Sequence, residues 1–334
     1  MLKQISLLIL CAAAIVLFAT PVQACTSAVV SGKVTPDGRP LLWKNRDTDF
    51  MQNHIDYVKG EKYNFIAVVN SANTYLKEAW MGTNSSGFAL MNTQSYNLVD
   101  VKGDEERGAA NGRVIYRALE VCATVEDFCH FLDTISKPSD IEANFGVIDA
   151  QGGAAMFEVD YHKYVMYDAN NPKDAPYGYI ARTNFSFAGK VNEGAGYVRY
   201  MEADQVLMKA SATGSITPQF IFNDLSRSFR NRMLDIDLRS GAYNRPQASG
   251  WFVDQDFIPR SSTSCSVVVQ GVKPGEKAEL TTMWTLLGYP PTGIAVPLWV
   301  KDAGKLLPGM VRFGKEYEAA LLSDWSLRLA DRVF

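Results

Sequence analysis

Cys25 carries two reactive groups at once if the chain is cut directly before it. Residues 1–24 have the layout of a secretory leader, with Lys3 as the basic start, an apolar run from Ile5 to Thr20, and then Pro21-Val22-Gln23-Ala24. Val22 and Ala24 are the small residues that a signal peptidase reads just ahead of its cut. Cutting after Ala24 leaves Cys25 with a thiol and a free α-amine. Such an amine has a reference pKa of about 8, so part of it is free base at neutral pH. A thiol beside its own base is a complete nucleophile-plus-base unit, suited to attack on an acyl carbon. The same leader admits a second reading, a lipoprotein whose mature Cys25 is acylated and anchors the chain to a membrane. A lipobox wants Leu and a small residue where Val22 and Gln23 stand. The two fates exclude each other, because a thioether-linked lipid consumes the sulfur.

Lys44-Asn45-Arg46-Asp47 is the next reactive cluster. A carboxylate near an α-amine orients it and stabilises the ammonium that forms after proton pick-up. Strict strand alternation puts Lys44 and Arg46 on one face and Asp47 on the other. A bulge or a strand end is needed if Lys44 and Asp47 are both to face Cys25. Further candidates are Asn184 at the end of Tyr179-Ile180-Ala181-Arg182-Thr183, Asn92 beyond Gly82-Thr83-Asn84-Ser85-Ser86-Gly87, and Arg199 in Gly196-Tyr197-Val198-Arg199. An amide N–H suits a developing oxyanion because it stabilises charge without titrating.

The opening Cys25-Thr26-Ser27 together with Lys44-Asn45-Arg46-Asp47 resembles the N-terminal-nucleophile hydrolases of the choloylglycine hydrolase superfamily. That group includes penicillin V acylases, bile salt hydrolases, acid ceramidase-like amidases and acyl-coenzyme A:6-aminopenicillanate acyltransferases. The resemblance implies Cys25 as nucleophile, Asp47 as the acid that holds the α-amine, and Asn184 as an oxyanion donor. It implies Asn92 in the anion pocket, with Gln94 as the alternative, and Arg199 as support through a polar network, with a second register that would place Gly196 there. Lys44 stands where bile salt hydrolases have an arginine near the sulfur. Lys keeps the charge but loses the planar fork, which Arg46 could supply instead.

The resemblance also implies a four-layer αββα sandwich and hydrolysis of linear N-acyl amides through an acyl-enzyme. Conjugated bile salts, penicillin V, N-acyl amino acids and fatty amides are its candidate substrates. It implies a small-molecule partner and neither a metal nor an organic cofactor. Acyl transfer to an amine is one alternative. An N-terminal-Cys dipeptidase, to which the Met283-Trp284 stretch is also similar, is another. Trp80, Trp251 and Trp284 suit an apolar acyl pocket or, equally, a core.

The elements that must position these residues follow from pattern. Removing 24 of the 334 residues leaves 310, read as one domain over 25–334. Hydrophobic residues make up 47% and charged ones 21%, an ordinary globular balance. The net charge is −3, and losing Lys3 makes it −4, with no basic run that points to nucleic acid. Beyond the leader no apolar stretch is long enough to span a bilayer. The mature chain is therefore expected to be exported, periplasmic or extracellular, and off the membrane unless lipidated. Monomer and homo-oligomer both stay open. Cys25, Cys122, Cys129 and Cys265 remain after the leader, too few for a disulfide scaffold.

The periodicity predicts strands over 26–32, 41–45, 66–69, 88–93, 145–148, 155–159, 164–167, 179–183, 264–269, 278–286 and 293–300. It predicts helices over 114–122 and 124–132, the second opened by a Thr124/Asp127 capping box, and over 197–210, from 217 and over 315–333. Blocks of strands separated by pairs of helices make an α+β layout.

Overall fold

The computed structural model describes residues 24–72, 74–99, 108–241, 254–314 and 319–333. Residues 1–23 of the expected 1–24 leader, Trp251 and the start of the last helix at Lys315 lie outside the described residues.

Fifteen strands form along the described chain: β1 Cys25–Val30, β2 Leu41–Asp47, β3 Asn53–Val58, β4 Phe65–Asn70, β5 Met81–Asn84, β6 Ala89–Gln94, β7 Ala143–Ile148, β8 Ala154–Val159, β9 Tyr164–Asp168, β10 Tyr179–Arg182, β11 Arg230–Asn231, β12 Ile236–Asp237, β13 Thr263–Gln270, β14 Thr282–Leu287 and β15 Ala295–Leu298. The longer helices are α1 Asn111–Val121, α2 Val125–Thr134, α3 Tyr197–Ala212 and α4 Leu321–Val333.

One sheet is a sequential antiparallel meander, β3-β4-β5-β6-β7-β8-β9. The other has the order β10-β1-β2-β13-β14-β15, so β1 lies between β10 and β2. Period-2 alternation sorts each strand between two layers. Val29, Leu42, Cys265, Val267 and Val269 of one sheet meet Met81, Ala89, Met91, Ile148 and Met156 of the other in a shared core. The opposite residues of the same strands, Ala28, Val30, Leu41, Trp43 and Val268, pack with Ala203, Leu207 and Ala210 of α3. On the far side, Phe88, Leu90, Phe145 and Phe157 pack with Val114, Ile115, Ala118 and Leu119 of α1 and Phe128 and Leu132 of α2. Helix, sheet, sheet, helix is the four-layer αββα order the resemblance implied.

Several boundaries differ from the pattern, each for a local reason. The Thr124 capping box forms on both sides as expected. The helix expected from Thr217 runs only over Pro218–Phe220 before widening into a π-helical turn, Ile221–Leu225, closed by Ser226 N donating to Ile221 O at 2.7 Å. That wider turn presents Ser226 to Trp43 and Asn45: the Trp43 indole donates to Ser226 Oγ at 2.9 Å, and Asn45 Nδ2 donates to Ser226 O at 3.0 Å. The strand expected over 278–286 begins only at Thr282, after a 3-10 turn at Ala278–Leu280. The last helix starts at Leu321 among the described residues. Four strands escaped the pattern: β3, β5 and the two-residue pair β11 and β12, which is too short to carry a period. β3 is polar and sits at a sheet edge, where burial imposes little alternation. β5 contains Gly82, because a Cβ there would lie 2.6 Å from Ile66 O and 2.8 Å from Leu119 Cδ1. Cys122 ends α1 ahead of α2, and Cys122 and Cys129 are both free thiols.

Candidate active site

Cys25 opens β1 and sits opposite Arg46 of β2, while Ser27 sits opposite Lys44. Its side chain shares the inward parity of Val29, toward the second sheet. Cys25 is 6% exposed, and Ala24 before it 1%. In this uncut chain the Cys25 nitrogen is an amide, standing where the α-amine of a processed chain would be. It donates to Asn184 Oδ1 at 2.9 Å, and the Cys25 thiol donates weakly to Asp47 O at 3.9 Å.

Arg199 ties this end of the sheet together. It enters from the first turn of α3, is 1% exposed, and gives Nη1 to Cys25 O at 2.7 Å and Thr26 Oγ1 at 2.9 Å, and Nη2 to Asn184 Oδ1 at 2.8 Å. One guanidinium thus fixes the Cys25 carbonyl, the neighbouring hydroxyl and the Asn184 amide. Burial lowers its pKa to about 10, with Asp47 the largest influence in the other direction. Gly196 makes this geometry possible. It caps α3 at φ +85°, and a Cβ there would lie 2.4 Å from Arg199 Nη2. The two registers weighed for the supporting arginine therefore place both residues in one contact, with Arg199 bearing the charge.

Asn184 Oδ1 accepts from Cys25 N and Arg199, which turns Nδ2 toward Gln94 O at 2.8 Å. The Gln94 side chain is engaged elsewhere, its Oε1 accepting from Asn111 Nδ2 at 2.7 Å. Asn144 Nδ2 fastens the Asn184 segment from the second sheet through Thr183 O and Phe185 O, both at 3.2 Å.

The Lys44–Asp47 segment alternates as its pattern dictates. Trp43 and Asn45 reach Ser226 in the helix layer, whereas Lys44 and Arg46 cross to the second sheet. Lys44 Nζ donates to Asn92 Oδ1 at 3.0 Å and Trp80 O at 3.1 Å. It fits just beyond the last β5–β6 pair, Met81 and Met91. Asn92 therefore acts here as an acceptor for Lys44. Arg46 donates to Asn53 Oδ1 and, at 2.8 Å, to Asn70 Oδ1, and its guanidinium lies 4.7 Å from the centre of the Trp80 ring. Neither cation has a carboxylate among these partners. Burial lowers both pKa values, that of Arg46 to about 10, and the Cys25 sulfur acts in the opposite direction on each.

Asp47 ends β2, and its carboxylate faces a turn that sequence reasoning missed. Oδ1 accepts from Thr263 Oγ1 at 2.7 Å, and Oδ2 lies 3.1 Å from Arg260 Nε, an ion pair that lacks the alignment of a hydrogen bond. A β-bulge at Ser264 sets this up: Cys265 pairs with Arg46, and the extra residue brings Thr263 opposite Asp47. The turn is self-bonded, with Thr263 N donating to Arg260 O at 2.8 Å and Arg260 N to Thr263 Oγ1 at 3.0 Å. Burial raises the Asp47 pKa, and Arg260 and Arg199 pull it back down. The resemblance pointed to Asp47 as partner of the Cys25 nitrogen. In the uncut chain that nitrogen bonds Asn184, and the Asp47 carboxylate bonds the 260–263 turn.

Two loops border the site. Buried Glu158 pairs with Arg182 Nε at 2.6 Å and accepts from Phe187 N at 2.8 Å and Ala188 N at 2.7 Å. Asn97 in turn holds Ser186 N at 2.8 Å, and its Nδ2 donates to Ser186 O at 2.9 Å. Tyr96 lies in the Cys25 environment, and burial raises its phenol pKa, with Cys25 adding to the effect. Cys265 is a core residue whose thiol is pushed up to about 11 by burial. Trp80 borders the site, but Trp284 packs against the helix-layer core on the other face of its sheet.

The strand headed by Cys25 lies inside a sheet that faces a second sheet, and the chain falls within the choloylglycine hydrolase superfamily of N-terminal-nucleophile hydrolases. It belongs to the acyl-coenzyme A:6-aminopenicillanic acid acyl-transferase family, whose model matches residues 34–211. That span includes Lys44, Asp47, Asn92, Asn184 and Arg199, and Cys25 lies just ahead of it. No curated protein matches the chain. Among solved structures, penicillin V acylase from Agrobacterium tumefaciens is similar at 15% identity over 83% of this chain and 86% of its own, with a TM-score of 0.45. A variant of conjugated bile acid hydrolase from Clostridium perfringens is similar at 15% identity over 83% and 93%, with a TM-score of 0.45. The N-acylethanolamine-hydrolyzing acid amidase ortholog of Caenorhabditis elegans is similar at 15% identity over 60% and 90%, with a TM-score of 0.41.

Proposed function

We propose that this chain is an exported amidase that cleaves linear N-acyl amides through an acyl-enzyme on Cys25, after removal of residues 1–24. The observation that carries this reading is the convergence of Arg199 on Cys25 O, Thr26 Oγ1 and Asn184 Oδ1, which holds the head of β1 beside an amide side chain.

In this mechanism the Cys25 amine takes the thiol proton as the sulfur bonds to the substrate carbonyl carbon. The carbonyl oxygen gains negative charge, and the Asn184 amide together with the nearby Lys44 ammonium stabilises it. The carbon–nitrogen bond then breaks, and the amine returns its proton to the departing nitrogen. Water adds to the thioester, again giving a proton to the amine, and the acid leaves with the sulfur restored. Asp47, held by Thr263 and Arg260, supplies a fixed negative charge near the ammonium form. Buried Lys44 and Arg46 have only neutral hydrogen-bond partners, which favours substrates that bring an anionic group.

Conjugated bile salts, penicillin V and N-acyl amino acids form the natural test panel. Acyl transfer is the second reading, favoured by the family to which the chain belongs, and it needs only an amine in place of water at the thioester.

The test uses the secreted protein. Its intact mass is expected to match a chain beginning at an unmodified Cys25, whereas an added diacylglycerol would establish the lipoprotein fate. Cys25→Ala is expected to lower turnover of the best panel amide by about 10⁴-fold or more. Undiminished turnover in that variant would refute the mechanism, and adding a free amine during turnover separates transfer from hydrolysis.

A further inference from the structure

On the helix-covered face of the six-stranded sheet, a cavity of about 670 Å3 opens between the Pro218–Leu225 segment and the β14–β15 edge. Its volume is within the range of small-molecule sites. Phe222, Trp284, Ile294 and Ala295 give it an apolar wall, and Ile294 is 67% exposed.

Arg227 supplies the polar end. Its Nε donates to Pro290 O at 2.8 Å, Nη2 to Gly293 O at 3.1 Å and Nη1 to Asn223 Oδ1 at 3.1 Å. All three partners are neutral, so the guanidinium is held in place without being neutralised. A guanidinium has five N–H donors, and these bonds use three of them. The second cation nearby is Arg239, whose Nη1 lies 3.5 Å from Asn223 O and which lowers the pKa of half-buried Arg227 further. A fixed guanidinium with two remaining donors matches one carboxylate, and the wall beside it matches an apolar remainder.

We propose that this cavity binds an apolar monocarboxylate, with the acid group against Arg227 and the chain along Trp284 and Ile294, at a site separate from Cys25. The plain alternative makes Arg227 only a staple for the 290–293 turn. The two accounts differ in solution.

The proposal is independent of the reaction at Cys25, because dodecanoate contains no amide to cleave. Titration calorimetry of the processed protein with dodecanoate, below its micelle concentration, is expected to show one saturable site. Dodecanol should bind at least tenfold more weakly. Arg227→Gln should weaken dodecanoate binding at least tenfold. Since that change also frees two backbone carbonyls, Ile294→Glu provides the second variant: the residue is largely exposed, and the new carboxylate should repel the ligand to a similar degree with an unchanged melting temperature. Equal affinity for the alcohol, absence of a saturable site, or dodecanoate binding unaffected by either substitution would overturn the proposal.

Discussion

Arg260 and Asp47 form an ion pair sealed inside the protein, Nε lying 3.1 Å from Oδ2 with the two side chains 4% and 0% exposed. The pair opposes the burial that raises the Asp47 pKa. Removing the cation makes each deprotonation in this cluster harder, for the carboxyl and for a neighbouring amine alike. Arg260→Gln should therefore shift the acid limb of the kcat/KM profile to higher pH, by about 1–3 units, whereas Arg260→Lys should leave it near the wild-type position. Superimposable profiles for the Gln variant and wild type would show that the pair does not tune the site.

Gly196→Ala tests the contact that lets Arg199 reach Cys25. The added methyl group would lie 2.4 Å from Nη2, at a backbone φ of +85° that favours glycine. The strain alone is worth roughly 1–2 kcal/mol. Amide turnover should fall at least tenfold, with a loss in melting temperature of a few degrees, and wild-type kinetics would show that Arg199 can act from another position.

Lys44 makes a prediction about stability and pH. Its pKa is lowered in the folded protein, mainly by burial. Between the lowered value and the unfolded value of about 10.4, the unfolded chain binds more protons than the native one. Wild-type stability must then gain with rising pH, by up to about 1.4 kcal/mol per pH unit within that window. Lys44→Met lacks this contribution. Denaturation of both proteins from pH 7 to 10 should show wild type improving relative to the variant, and a constant difference would contradict the burial argument.

Glu158→Gln should destabilise the protein by about 3–5 kcal/mol, because it strips the charge from one partner of a buried pair and leaves Arg182 uncompensated. The same carboxylate holds Phe187 N and Ala188 N, so proteolysis should begin in the 185–190 segment. A melting temperature within a degree of wild type would show that the amide replaces the carboxylate at little cost.

The local features were the legible ones. The β1–β2 hairpin, the Thr124 capping box and the α3 span follow from turn chemistry and periodicity within short windows. Alternation placed Lys44 and Arg46 on one face of β2, and both reach the second sheet while Asp47 does not, since a strand in a sandwich has two different neighbours. Asn184 and Arg199 were visible only through the resemblance. The Arg260–Thr263 clamp was not visible, because it meets Asp47 through a strand pairing across 216 positions and a one-residue irregularity that leaves no periodic trace. Trp284 was ambiguous for a related reason: composition marks it as apolar, but only the register of β13 and β14 decides which face it takes.

The bulge at Ser264 bears on how this protein can change length. Loss of that single codon would spare the ladder from Cys265 to Gln270, and with it most of the architecture, and would leave Thr263 in ordinary register opposite Asp47, so that the lost length falls on the turn that carries Arg260. A sound scaffold and a disarmed acid would be inherited together, from a deletion that inspection of the core alone would pass as harmless.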